Sequence, residues 1–149
     1  ITDERMTRFS ITLDEGVQFV NKSLKKMWGG ELFIPKIPSY RILDVAKAIA
    51  PDAKYKIIGI RPGEKLHEEM VTKADAINTV EFDDYFVIVP NSAYIKWERK
   101  KFLHKSNGKP GKYCADSFSY NSEDNDHFLS VNEIKDLIIQ NVENGAEII

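Results

Sequence analysis

The residues IIGIRPGEKLHE, 57–68, join an apolar run to a rigid turn carrying several ionisable side chains. Ile57, Ile58 and Ile60 are β-branched, which favours a buried strand. Pro62 fixes its own φ and Gly63 supplies the positive φ of a sharp bend, so the strand ends at Arg61. Beyond the bend, 66–72 reads as a short helix. Arg61 and Glu64 flank the corner and project toward the same space. A guanidinium matches phosphate oxygens two at a time, and a carboxylate accepts from vicinal hydroxyls such as those of a ribose. The pair suits an anionic, hydroxylated ligand.

Working upstream, 5–12 reads as a short strand with Phe9 and Ile11 on one side and Arg8 and Ser10 on the other. Thr12 with Glu15 is a capping box, and it opens a helix to about Met27. Its stripe of Leu13, Val17, Val20, Leu24 and Met27 is expected in the core. Gly29 and Gly30 end that helix, and 31–36 forms a strand bounded by Pro35 and Pro38. Ser39 is placed as the cap of a second helix, with Ile42, Val45, Ala46, Ile49 and Ala50 on its apolar face and Pro51 as its stop. Strands and helices therefore alternate as far as Ile60, which is α/β logic.

Downstream, 80–89 reads as one strand closing at Pro90, with Asp83 and Asp84 as its polar approach. The stretch 96–112 holds seven cationic residues and one acidic one among Gly, Asn and Pro, the pattern of a mobile loop. Trp97 and Phe102 would dock it on the body. Gly108 and Gly111 do not make a dinucleotide fingerprint, because no buried strand precedes them and no helix follows. Ser130 with Glu133 is a second capping box, opening a helix with Val131, Ile134, Leu137, Ile138 and Val142 on one face. His67-Glu68 starts like a zinc-protease HExxH, but Val71 stands where the second ligand belongs.

A chain of 149 residues makes one domain, expected as an α/β part at 1–90, a loop-rich stretch at 91–129 and a closing helix at 130–144. Such a domain buries roughly 68–70% of its unfolded surface. Its charged fraction is 30%, above the roughly 25% of an average domain, so the body is folded and well solvated. A net charge of −2 leaves no global footprint for nucleic acid or acidic membranes. Cys114 is the single cysteine, which excludes an internal disulfide. Apolar runs fall well short of the roughly 20 residues of a membrane span, so a cytoplasmic location without membrane contact is expected. With Ile1 in place of an initiator Met, the chain reads as a piece of a longer product.

The blocks RMTRF-IT-LDEGV, GGE-F-PKIPS, VAKAIAP, IIGIRPGEKLHE-M and EFDDYFVI-P follow one another through residues 4–90. Their order and spacing resemble the C-terminal part of the extended short-chain dehydrogenases/reductases that act on nucleotide sugars. Among these, the resemblance points to the 4,6-dehydratases, and most closely to those that act on UDP-N-acetylglucosamine and invert configuration. It implies the substrate-binding region of such an enzyme without the Rossmann cofactor domain. Taken alone, Arg8 reads as a surface arginine in an ordinary ion pair. The resemblance instead assigns it to the nucleotide diphosphate, beside Arg61 and Glu64. Ser10 departs from the pattern, since members usually carry an aromatic residue there, and packing beside the site is expected to differ.

By resemblance, the parent enzyme oxidises the sugar at C4 with bound NADP, removes water across C5 and C6, and returns hydride to C6. That chemistry needs a Gly-rich turn and a Tyr-x-x-x-Lys pair. Neither occurs here: the fourth residues after the six tyrosines are Asp44, Gly59, Val89, Glu98, Ser117 and Asp124. The chain alone is therefore expected to bind no cofactor and to be catalytically incomplete. Its expected partners are a UDP-sugar, the missing N-terminal cofactor domain and further copies of itself, with no nucleic acid. Where the cofactor domain is missing, an apolar patch and the edge of strand 31–36 should lie uncovered. Two other readings stay open, a nucleotide-sugar epimerase sharing the same clamp and a non-catalytic interaction module.

Overall fold

The computed structural model describes residues 1–91, 98–104 and 109–141. Along the chain run β1 (Thr7–Phe9), α1 (Leu13–Lys26), β2 (Leu32–Pro35), β3 (Ser39–Arg41), α2 (Ile42–Ile49), β4 (Glu69–Val71), a 3-10 turn (Ala76–Asn78), β5 (Thr79–Glu81), β6 (Tyr85–Ile88), α3 (Arg99–Leu103), β7 (Lys112–Tyr113), β8 (Tyr120–Asn121) and α4 (Val131–Asn141). The architecture is mixed α/β. The chain forms two compact units, one of Ile1–Thr12, Ile37–Glu68 and Asn121–Ile149, the other of Leu13–Lys36 and Glu69–Tyr120.

In the first unit, β1 pairs antiparallel with β3, which sets Arg8 opposite Tyr40. Packing of α2 against α4 closes a cluster of Ala48, Leu129 and Ile134, flanked by Val45, Leu137 and Ile138. The expected capping box starts α4: the Ser130 N–H donates to Glu133 Oε2 at 2.8 Å and the Glu133 N–H to Ser130 Oγ at 3.3 Å. The Ser130 hydroxyl also donates to Glu133 Oε2 at 2.7 Å, and this bond, with that from the Ser130 N–H, holds the Glu133 carboxyl below the usual carboxylate range. Val142 and the last turn expected of this helix lie outside the described residues.

The second unit is built on an antiparallel sheet in the order β2-β6-β5-β7. One face packs Val80, Phe82, Tyr85, Val87 and Val89 around Phe102. The Phe82 and Tyr85 rings stack at 4.8 Å, and Trp28 meets Phe102 edge-on at 5.3 Å. Phe102 docks as expected, but from a helix: α3 and β7 occupy much of the stretch read as a loop. Trp97 lies outside the described residues, as do 105–108. A Cβ on Gly111 would sit 2.6 Å from Val80 Cγ1, so only glycine lets the chain pass that close to β5. Cys114 follows β7 and donates its N–H to the Thr79 carbonyl at 3.0 Å. Burial pushes its thiol up to about 11, with the Glu81 charge adding to the effect.

Five expectations are corrected. Residues 57–60 are exposed and form no strand: Gly59 has φ +86°, and none of the strands among the described residues pairs with them. The span 66–72 is not a helix; β4 begins at Glu69, and the Glu68 N–H goes to Ser122 Oγ instead of to a helical carbonyl. What read as one strand at 80–89 is a hairpin, with Asp83 and Asp84 as its turn and the Phe82 N–H donating to the Tyr85 carbonyl at 2.9 Å. Ser39 is a buried strand residue whose Oγ accepts from Asn125, and Arg41 caps α2 without a side-chain bond. The α1 stripe is not core: α1 has no buried residue, and Leu13, Val17, Val20, Leu24 and Met27 are all exposed.

Candidate functional site

Pro62 and Gly63 make the corner as the sequence requires. Gly63 has φ +86°, and the Glu64 N–H closes the turn on the Arg61 carbonyl at 3.1 Å. Both oxygens of Glu64 turn back on Arg61. Oε1 accepts from Nε at 2.9 Å and also from Nη2, and Oε2 accepts from the Arg61 backbone N–H at 3.0 Å. These bonds, with the charges of Arg61 and Arg8, hold the Glu64 carboxyl below its ordinary value, and the same pairing raises the Arg61 guanidinium.

Arg8 reaches the far end of the same corner. Its Nη1 donates to the carbonyls of Thr7 at 2.6 Å and Leu66 at 3.1 Å, and its Nη2 donates to the Lys65 carbonyl at 2.9 Å. Nε lies 3.3 Å from Glu68 Oε1. The three residues singled out in the sequence thus gather on one corner, with Glu64 within the field of both arginines. They differ in freedom. The Arg8 side chain is 21% exposed and fixed by backbone carbonyls, whereas Arg61 is 70% exposed and held by one carboxylate. Arg8 is a fixed positive charge at the floor of the corner, and Arg61 is the more exposed guanidinium.

Sequence reading missed what pins this floor. Thr7 Oγ1 lies 2.8 Å from His67 Nδ1 and 2.7 Å from Ser122 Oγ, which accepts from the Glu68 N–H at 2.9 Å. His67 Nε2 lies 3.5 Å from Glu123. The order hydroxyl, imidazole, carboxylate is that of a nucleophilic triad. Thr7 is only 5% exposed, however, so no substrate carbonyl can reach its oxygen. The chain of bonds fastens β1 to the segment after the corner. Nothing local announces Ser122 as a partner, since it comes from a distant part of the sequence.

A Tyr/Lys pair does exist in space within the second unit, where Lys26 Nζ lies 3.3 Å from Tyr85 Oη. Burial and the Asp84 charge push that hydroxyl up to about 12, the opposite of what proton abstraction at neutral pH requires. Nor do the described residues fit a dinucleotide. The positive-φ glycines are Gly29, Gly30, Gly59 and Gly63. The first two lead from a helix into a strand, the reverse of the strand-to-helix turn that cradles a pyrophosphate. Among the described residues there is no group of three metal-ligating side chains, and no helix is long and apolar enough to cross a membrane.

Residues 1–90 match the family described as Polysaccharide biosynthesis protein. The chain is 46% identical over 138 residues to the inverting UDP-N-acetylglucosamine 4,6-dehydratase of Campylobacter jejuni, a match that takes in 93% of this chain and 41% of that protein. It is 27% identical to the UDP-glucose 4-epimerase of Rickettsia canadensis, over 93% of this chain and 40% of the epimerase. Among solved structures it resembles Pen from Bacillus thuringiensis, with a TM-score of 0.71 and 28% identity over 94% of this chain and 40% of that one. It spans about two fifths of the length of the curated relatives it matches.

Proposed function

The chain belongs to the polysaccharide biosynthesis protein family, and on that premise we propose that it is the substrate-side part of a nucleotide-sugar 4,6-dehydratase whose substrate is UDP-N-acetylglucosamine. In this reading Arg8 and Arg61 divide the pyrophosphate, and Glu64 orients Arg61 and accepts from the ribose hydroxyls. The observation that carries it is the gathering of both guanidiniums and one carboxylate on a single Pro-Gly corner, on a chain that shares its blocks with a UDP-sugar enzyme. The remainder of the full-length enzyme supplies the Gly-rich turn and the Tyr/Lys pair, and with them NADP and the lyase chemistry. An epimerase would use the same clamp; product analysis with the full-length protein separates the two, a dehydratase giving a 6-deoxy-4-keto sugar and an epimerase an inverted C4 hydroxyl.

The test is calorimetric titration of UDP and UMP into the full-length protein and its Arg8→Ala, Arg61→Ala and Glu64→Gln variants. Loss of a charge-assisted bond to phosphate weakens binding by roughly tenfold or more. The arginine variants should lose preference for UDP over UMP, while Glu64→Gln should weaken both ligands alike. Arginine variants that bind UDP as tightly as the parent would end the proposal.

A further inference from the structure

The stretch 54–60 carries Tyr55, Ile57, Ile58 and Ile60, all exposed, and Gly59 breaks it with φ +86°. Among the described residues two of its backbone groups are engaged, and both meet the same residue. The amino group of Ile1 donates to the Lys56 carbonyl at 3.0 Å, and the Ile58 N–H donates to the Ile1 carbonyl at 2.9 Å. Bonds that leave one residue for the two neighbours of another are one step of a parallel ladder; an antiparallel step would return both bonds to a single residue. Ile1 is thus in parallel register with Ile57. Downstream of Ile1 the ladder cannot grow, because the chain turns at once, with the Met6 N–H donating to the Asp3 carbonyl. Upstream it is open.

We propose that 54–58 is one strand of a parallel pair whose other strand is the polypeptide directly preceding Ile1 in the full-length protein. This deepens the reading above and rests on it only in requiring a longer chain. The matched relatives supply the room, since the chain covers 41% of the Campylobacter jejuni enzyme. The long connection between Ile1 and Ile57 provides the crossover that a parallel pair needs. Added residues continue the register two at a time, alongside Tyr55 and then Ala53, so the N–H groups of Lys54 and Lys56 face the added strand while those of Tyr55 and Ile57 face away. The strand so completed ends at Ile58, three residues before Arg61, with Gly59 turning the chain toward the corner, so upstream polypeptide anchors the approach to Arg61.

Amide hydrogen exchange, read residue by residue without nucleotide, compares the full-length protein with the chain that starts at Ile1. The Lys54 and Lys56 amides should slow by about tenfold or more in the full-length protein, since a paired amide exchanges only on opening. An unchanged Lys56 amide, or slowing confined to Tyr55 and Ile57, overturns the proposal. So does Lys56 protection that rises with concentration in the shorter chain, which would make a second copy the occupant. A protein that shows the expected slowing yet fails to bind UDP would keep the strand and sink the clamp, so the two ideas fail separately.

Discussion

Helices α1 and α4 carry the same kind of apolar spacing and meet opposite fates. On α4, Ile134 is 5% exposed against Ala48 and Leu129, with Leu137 and Ile138 beside it. On α1, Leu13 is 85% exposed and no residue is buried, although a groove of about 390 Å³ runs between the helix and β2, lined by Phe19, Val20, Leu24 and Phe33. Among the described residues β2 has only β6 as a neighbour, which leaves its outer edge unpaired as well. A helical stripe therefore states that a face must be covered and leaves open which stretch of polypeptide covers it. The covering of α4 is in this chain, and that of α1 is not among the described residues.

The sharpest way to break this contrast is a matched pair of truncations. Ile134→Ala should cost about 2–5 kcal/mol in denaturant unfolding, the range for a buried aliphatic cut to alanine. Leu24→Ala should stay within about 0.5 kcal/mol, as for an exposed site. Equal losses would show that α1 is covered in solution. A second measurement asks by what: the chain should self-associate at high concentration through the α1 groove and the β2 edge, and Val20→Glu with Leu24→Lys should suppress it. Light scattering that finds a monomer before and after the change counts against this. The smallest effect concerns the α4 cap. Because the folded Glu133 carboxyl titrates below its unfolded value of about 4.5, its contribution is complete above that pH and fades as pH falls through the folded value. Glu133→Gln should remove that acid-side portion of the melting curve and leave Tm at neutral pH only slightly lowered; an unaltered acid limb would mean the cap is not formed in solution.

How far the residues could be read follows the same division. Pro62-Gly63, Ser130 with Glu133, and the Gly29-Gly30 helix end were legible because each acts through its own neighbours. The hairpin at Asp83 and Asp84 is misread, because the apolar residues on both sides run together as a single strand. Three isoleucines within 57–60 suggest a buried strand, whereas the stretch is exposed and unpaired with any strand among the described residues. At the candidate site, Arg61 and Glu64 could be paired from their spacing. The anchoring of Arg8 on the Lys65 and Leu66 carbonyls, and of Thr7 on His67 and Ser122, depends on contacts between distant segments that no local pattern encodes.

Cys114 gives the second unit its own reporter. With its thiol pushed up to about 11, hardly any thiolate exists at neutral pH while the Cys114 N–H stays bonded to Thr79. Cys114 is only partly buried, so an alkylating reagent reacts with it slowly in place and faster when the chain after β7 lifts from β5 and the sulfur returns to its ordinary acidity. Because the chain has one cysteine, the labelling rate reports on that region alone, with no background from the first unit.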